Sequence, residues 1–120
     1  MKTNISKGKA GEKLAAEYLQ KRGFSIVETN WRYSRSGEID IIAIDKNALV
    51  FVEVKTRSSI SFGLPIESIT ETKMNRMKTL AGIYLSEKPD IKFKNFRFDV
   101  VGIILNKVPE ITYYKDVYQF

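Results

Sequence analysis

The stretch that decides the fold is Gly37-Glu38-Ile39-Asp40-Ile41-Ile42-Ala43-Ile44, then Asp45-Lys46-Asn47, then Ala48-Leu49-Val50-Phe51-Val52-Glu53-Val54-Lys55-Thr56. Two apolar runs rich in β-branched residues flank a polar break, the pattern of two strands and a turn. Successive side chains in a strand point to opposite faces. Val50, Val52 and Val54 therefore share one face, and Leu49, Phe51, Glu53 and Lys55 share the other. In the first run Ile39, Ile41 and Ala43 lie together, opposite Glu38, Asp40, Ile42 and Ile44. A hairpin with Lys46-Asn47 at its tip sets Ile44 against Leu49, Ile42 against Phe51, Asp40 against Glu53 and Glu38 against Lys55. One face is then wholly apolar. The other is apolar near the turn and charged at the far end. A slip of one residue would put charges opposite valines, so the pattern resists it.

Directly opposed carboxylates repel, with Cβ atoms about 4.5–5.5 Å apart. A cation between Asp40 and Glu53 removes that penalty, and Lys55 stands beside it to touch a substrate or a water. The same residues also describe a solvated cross-strand charge cluster, a common and weak arrangement. Against that reading, charges are uncommon in strands as densely apolar as these.

Outward from the hairpin, Ser6–Arg22 reads as a helix, with Leu14, Ala15, Tyr18 and Leu19 at helical spacing and Gly23 as its stop. Phe24–Glu28 reads as a short strand, Asn30–Ser36 as a basic loop and Arg57–Pro65 as a second loop. Thr70–Ser86 is a helix capped by Thr70, with Met74, Met77, Ala81, Tyr84 and Leu85 as its apolar stripe. Phe96–Leu105 is a strand, and Ile111–Tyr114 an optional edge strand. Glu12 falls at the margin of the first helix's stripe and can lean toward Asp40 and Glu53, or serve as a first-turn acid. Lys73 sits at the stripe margin of the second helix, facing the cleft or snorkelling. Trp31, Arg32, Tyr33 and Arg35 precede the acidic strand and Arg57 follows Lys55. Arginine suits phosphate and aromatic planes can stack on unpaired bases, while Trp31 reads first as a core anchor. Asp99 is either a buried strand carboxylate paired with an arginine or a support of the site. The aromatic tail from Tyr113 to Phe120 packs on the core or on a second subunit.

The chain has 120 residues, 43% hydrophobic and 28% charged, one domain's worth (1–120, with 1–5 frayed). Its 20 basic and 14 acidic residues leave a net charge of +6, a balance that favours polyanionic partners. Cys and His are both absent. That excludes disulfides, zinc-thiolate and iron–sulfur sites, thiol nucleophiles and every histidine-dependent triad or metal site. Oxygen-only ligands point to a hard cation, Mg²⁺ with Mn²⁺ or Ca²⁺ as substitutes. The basic, polar Met1–Lys9 is followed by no apolar run, and runs such as Val100–Leu105 are too short to span a bilayer. The expectation is a soluble cytoplasmic protein with no membrane partner.

Glu38-Ile39-Asp40 followed by Glu53-Val54-Lys55 on successive strands resembles the PD-(D/E)xK pattern of restriction-endonuclease-like nucleases. Gly11-Glu12, Gly23-Phe24, Asn30-Trp31-Arg32, Gly37–Asp40, Phe51–Arg57 and Arg97–Val101 resemble the blocks of the small, uncharacterised bacterial YraN-like family, across nearly the whole chain. The layout is also similar to archaeal Holliday-junction resolvases. The resemblance implies an α/β class with an α-β-β-β-α-β core, a mixed central sheet flanked by helices. It implies Asp40, Glu53 and Lys55 as catalytic residues and Glu12, Asp40 and Glu53 around Mg²⁺. One departure is Ile39, where the pattern's proline precedes the aspartate.

The resulting expectation is a Mg²⁺-dependent nuclease acting on DNA, with branched or structured DNA as a candidate substrate and Arg32, Arg57 and Lys73 on phosphates. A homodimer is compatible, since resolvases of this layout are dimers. The rivals are a non-catalytic nucleic-acid-binding module on the same fold and a protein-interaction domain whose charges are merely solvated.

Overall fold

In the computed structural model, which describes residues 4–61 and 63–118, two helices sandwich a five-stranded sheet. The elements are α1 (Asn4–Lys21), β1 (Ser25–Arg32), β2 (Glu38–Asp45), β3 (Ala48–Arg57), a 3₁₀ turn at Pro65–Ser68, α2 (Glu71–Glu87), β4 (Asn95–Ile104) and β5 (Glu110–Tyr114). Sheet order follows chain order, with β3 and β4 parallel and every other neighbour antiparallel. Only the parallel pair needs a crossover, and α2 supplies it. This is the restriction-endonuclease-like layout. No helix among the described residues is long and apolar enough to cross a membrane.

Each helix has its own core. Ala15 and Leu19 of α1 pack with Ile41, Ala43, Val50, Val52, Val54, Val101 and Ile103. Met74, Met77, Leu80, Ala81 and Tyr84 of α2 pack with Ile42, Leu49, Phe51 and Phe98 on the opposite face. The valine row and the Leu49/Phe51 row thus part as strand alternation requires. Gly23, at φ 95°, ends α1: Phe24 N–H donates to Leu19 O and Gly23 N–H to Gln20 O, both at 3.0 Å. The Thr70 side chain caps α2 by accepting Lys73 N–H at 3.1 Å.

Three expectations need correction. The helix begins at Asn4, two residues before the expected start at Ser6, and residues 1–3 of the segment expected to fray lie outside the described residues. The first strand continues to Arg32, pairing Trp31 with Ile39 and Arg32 with Glu38, where a loop from Asn30 was expected. Trp31 is what extends it, because its ring packs edge-on against Tyr84 at 5.2 Å. Asn30 accommodates the change of direction at φ 53°, a conformation asparagine tolerates. Third, Ile39 packs with Ile42 on the α2 side instead of with Ile41 and Ala43.

Asp99 is a buried strand carboxylate, 0% exposed, paired with Arg97 two residues before it, Nε to Oδ1 at 3.1 Å. Arg97 Nη2 also donates to Asp45 Oδ2 at 2.8 Å, the Tyr113 hydroxyl donates to Asp99, and Asp116 N–H donates to Asp99 Oδ1 at 2.9 Å. Burial and the adjacent carboxylate push the Tyr113 hydroxyl up to about 12. This network ties the β2–β3 turn, β4, β5 and the following segment together. The tail packs on its own core: Val117 N–H donates to Phe98 O at 2.8 Å and Tyr118 meets Phe98 edge-on. Residues 119–120 lie outside the described set.

Gly11 is a close approach of α1 to the sheet. A Cβ there would lie 1.9 Å from Thr56 Oγ1, 3.0 Å from Thr56 Cβ and 3.2 Å from its Cγ2. Glycine inside a helix costs about 1 kcal/mol relative to alanine, and here it is offset by bringing α1 onto β3. Gly11→Ala should therefore lower stability by about 1–3 kcal/mol in urea melts, with Thr56→Ala restoring most of the loss. Gly8→Ala, where nothing lies within 4 Å, should do the opposite. Equal gains from both alanines would contradict the close-approach account.

Candidate functional site

The two central strands part company where their charges begin. β2 and β3 pair from Asp45↔Ala48 to Ile41↔Val52. Beyond that, β2 stays paired with β1 as far as Arg32↔Glu38, and β3 with β4 as far as Arg57↔Ile104. The sheet forks between them. The expected register holds at Ile44↔Leu49 and Ile42↔Phe51, but the expected Asp40–Glu53 and Glu38–Lys55 steps lie past the last pair. Opposed buried carboxylates are a poor continuation of a ladder. Asp40 Oδ2 instead accepts the backbone N–H of Val54 at 2.8 Å. With Ile41 in the α1 core and Ile39 in the α2 core, β2 rolls about its axis at Asp40 and turns that carboxylate across the fork.

Glu12 arrives from α1. It lies two turns inside the helix, so the reading as a first-turn acid falls away. The Gly11–Thr56 approach brings it to the fork. With its amide nitrogen turned inward, Asn30 donates to Glu12 Oε1 at 2.9 Å. Carboxylate oxygens of Glu12, Glu38 and Asp40 lie within 4.8 Å of one another. Of the expected set Glu12, Asp40 and Glu53, the structure brings the first two together and adds Glu38. The signal for Glu38 was its place two residues before Asp40 on one strand; the hairpin register had assigned it to Lys55.

Glu53 occupies the lysine side of the fork. Its Oε2 is 3.0 Å from Lys73 Nζ and 3.9 Å from Lys55 Nζ. Lys73, expected on phosphate, is thus the nearer cation of the site itself. Arg32 Nη2 is 3.2 Å from Glu38 Oε2 and mostly exposed. Arg57, half-buried at the end of β3, holds its buried Nε without a hydrogen-bond partner among the described residues. Arg76, one turn beyond Lys73 on α2, joins the lining and was not singled out from sequence.

The cleft consists of adjoining recesses. One of about 550 Å³ reaches from Lys7 and Glu12 to Lys55 and Lys73, and one of about 260 Å³ runs between Arg32, Asp40, Glu53 and Arg76. A third, of about 460 Å³, opens past Glu12, Asn30 and Arg32.

Electrostatics follow from this crowding. Burial, with the charges of Glu53, Glu12 and Glu38, pushes Asp40 up to about 7 against the lowering effect of the Val54 bond. Burial also raises Glu12, helped by Glu38 and opposed by the Asn30 bond. The Lys55 ammonium is lowered, first by burial and then by Lys73. Burial opposes charge on Lys73 too, but its bond to Lys55 and the Glu53 carboxylate outweigh that and raise it. Converging carboxylates, two of which, Glu12 and Asp40, resist ionisation, with oxygen as the only donor type, fit a hard divalent cation.

Without a cation, ionising Asp40 works against the fold. Its native pKa lies above the ordinary 3.8, so its stabilising advantage is full below about pH 4 and lost as pH rises through about 7. In EDTA, Asp40→Asn should therefore be more stable than wild type at pH 8, by on the order of a few kcal/mol. The difference should shrink toward pH 5. Urea melts across that range read it directly, and a variant less stable at both ends would contradict the account.

The profile of Uncharacterised protein family UPF0102 matches residues 11–103. The chain is similar to a UPF0102 protein of Renibacterium salmoninarum, 52% identical over 105 residues, 88% of this chain and 87% of that one. It is 47% identical to one from Dictyoglomus turgidum over 104 residues, 87% and 86% of the two chains. A third, from Natranaerobius thermophilus, is 43% identical over 117 residues, 96% and 98% of the chains. Matches of this extent confirm the YraN-like resemblance of the sequence blocks: the chain belongs to the uncharacterised protein family UPF0102.

Proposed function

We propose that this protein is a divalent-metal-dependent nuclease that cuts a phosphodiester bond of DNA at the strand fork. The observation that carries the reading is the convergence of Glu12, Glu38 and Asp40 carboxylate oxygens within 4.8 Å, beside a Glu53–Lys73–Lys55 cluster. Glu12, Glu38 and Asp40 would hold Mg²⁺ or Mn²⁺, with Glu53 completing the acidic wall. Such an ion, when bound, polarises a phosphoryl oxygen and acidifies a water.

The chain's own residues do the rest. Val54 N–H fixes Asp40, and Asn30 fixes Glu12, so the acidic wall is set before substrate arrives. Lys55, whose lowered pKa eases loss of its proton, hydrogen-bonds and orients the attacking water. Lys73 keeps its charge and neutralises the phosphate as negative charge builds on it. Arg32, which lines the cleft, and Arg57, at the end of β3, take neighbouring phosphates, which makes affinity fall with salt. The net charge of +6 supports the same partner.

Purified protein with fluorescent DNA, both duplex and four-way junction, tests this. Cleavage should require Mg²⁺ or Mn²⁺ and fall by ~100-fold or more in Asp40→Asn and in Lys55→Ala, while circular dichroism stays unchanged. Cleavage that survives both substitutions would overturn the assignment. DNA binding that ignores both metal and Asp40, without cutting, would instead establish a non-catalytic binding module.

A further inference from the structure

Beside the acidic fork stands an aromatic pair that the chemistry above does not use. Trp31 is anchored edge-on against the buried Tyr84, with ring centroids 5.2 Å apart and planes at 85°. Tyr33 lies over Trp31 in offset stacking, 6.2 Å and 23°. Tyr33 is itself 38% exposed. The pair is therefore a short column, rooted in the α2 core at one end and open at the other.

Backbone hydrogen bonds hold the turn that carries that ring. Tyr33 N–H donates to Gly37 O at 3.2 Å and Ser36 N–H donates to Tyr33 O at 3.0 Å. Gly37, at φ 125°, closes the turn against α2, where a Cβ would lie 3.3 Å from Arg76 Cδ. Gly37, Arg32 and Arg76 line the same recess as Asp40 and Glu53. Tyr33 is thus tied through its backbone to Gly37, a residue of the proposed catalytic cleft whose lining also carries Arg32 and Arg76.

We infer that Tyr33, backed by Trp31, is a stacking platform for an unpaired base of the DNA strand entering the cleft. The inference rests on the nuclease reading and names its substrate class: DNA with at least one base free of its partner. A partly exposed ring backed by a second ring offers a π surface that any base can cover, and the arginines of the adjoining recess suit the attached phosphates. A base inside a continuous duplex is covered on both faces by its neighbours and offers no face to the ring. A duplex end does, so the test must separate an end from an internal gap.

The experiment uses the full chain and 2-aminopurine, a base whose fluorescence is quenched by stacking. The probe is placed in a short single-stranded gap, at a blunt end, or inside a continuous duplex. Binding is measured by anisotropy, in EDTA and again with Ca²⁺, and Mg²⁺-dependent cleavage is measured separately on the same samples. Wild type should quench the gap probe, and Tyr33→Ala should abolish that quenching and weaken gap binding about tenfold. Tyr33→Phe should keep both, and duplex affinity should change less than twofold in either variant. Trp31, the chain's single tryptophan, should change its own emission when gapped DNA binds wild type but not Tyr33→Ala.

Gap quenching that persists in a folded Tyr33→Ala, or quenching at a blunt end as strong as in the gap, would overturn the platform. Cleavage could stand in either case. Failure to bind any of the DNAs under either condition would overturn the platform and the nuclease reading together.

Discussion

Everything at the candidate site depends on one electrostatic constraint: Glu12, Glu38, Asp40 and Glu53 crowd the ends of two central strands. Burial and the neighbouring carboxylates oppose ionisation of Asp40 and push it up to about 7. The β2–β3 ladder stops at Ile41↔Val52, and Val54 N–H, released from the ladder, holds Asp40. On one side of the fork the acids face each other. On the other, Glu53 is balanced by Lys73 and Lys55. The apolar cores on both faces keep this arrangement from relaxing, because Val52 and Phe51, each 0% exposed, lock β3 immediately before its charges begin.

Much of the fold was legible because alternation and helical spacing are strong local signals. The hairpin register near the turn, the Thr70 cap, the α2 stripe and the Gly23 stop follow from neighbouring residues alone. The misreadings lie where distant residues decide. Trp31 extends β1 because Tyr84 of α2 receives its ring, and no pattern around Asn30 announces that partner. Ile39 changes face because β2 rolls at Asp40, which a strict period of two cannot express. Asp99 could be paired with Arg97 by type, but Asp45 reaches Arg97 and Tyr113 reaches Asp99 only through the folded sheet.

The site was legible in its ingredients and less so in their grouping. Asp40, Glu53 and Lys55 stood out because charges interrupt apolar strands. Glu12 stood out because it lies at the stripe margin of a helix. What the sequence could not supply was the split between an acid cluster with Glu38 in it and a lysine-balanced Glu53. That split depends on a ladder ending one pair before Asp40 and on the reach of Lys73 from α2. Gly11 matters for the same reason: its missing Cβ, read against Thr56, sets how near Glu12 can come.

The central claim is that the fork is a divalent-cation site built by Glu12, Glu38 and Asp40. Anomalous diffraction from crystals grown with Mn²⁺ tests it most directly. The account predicts a manganese peak at the fork, with an oxygen of each of these three residues as a direct or water-bridged ligand. Crystals in which the fork carries no peak, with Mn²⁺ seated elsewhere or absent at saturating concentration, would contradict it.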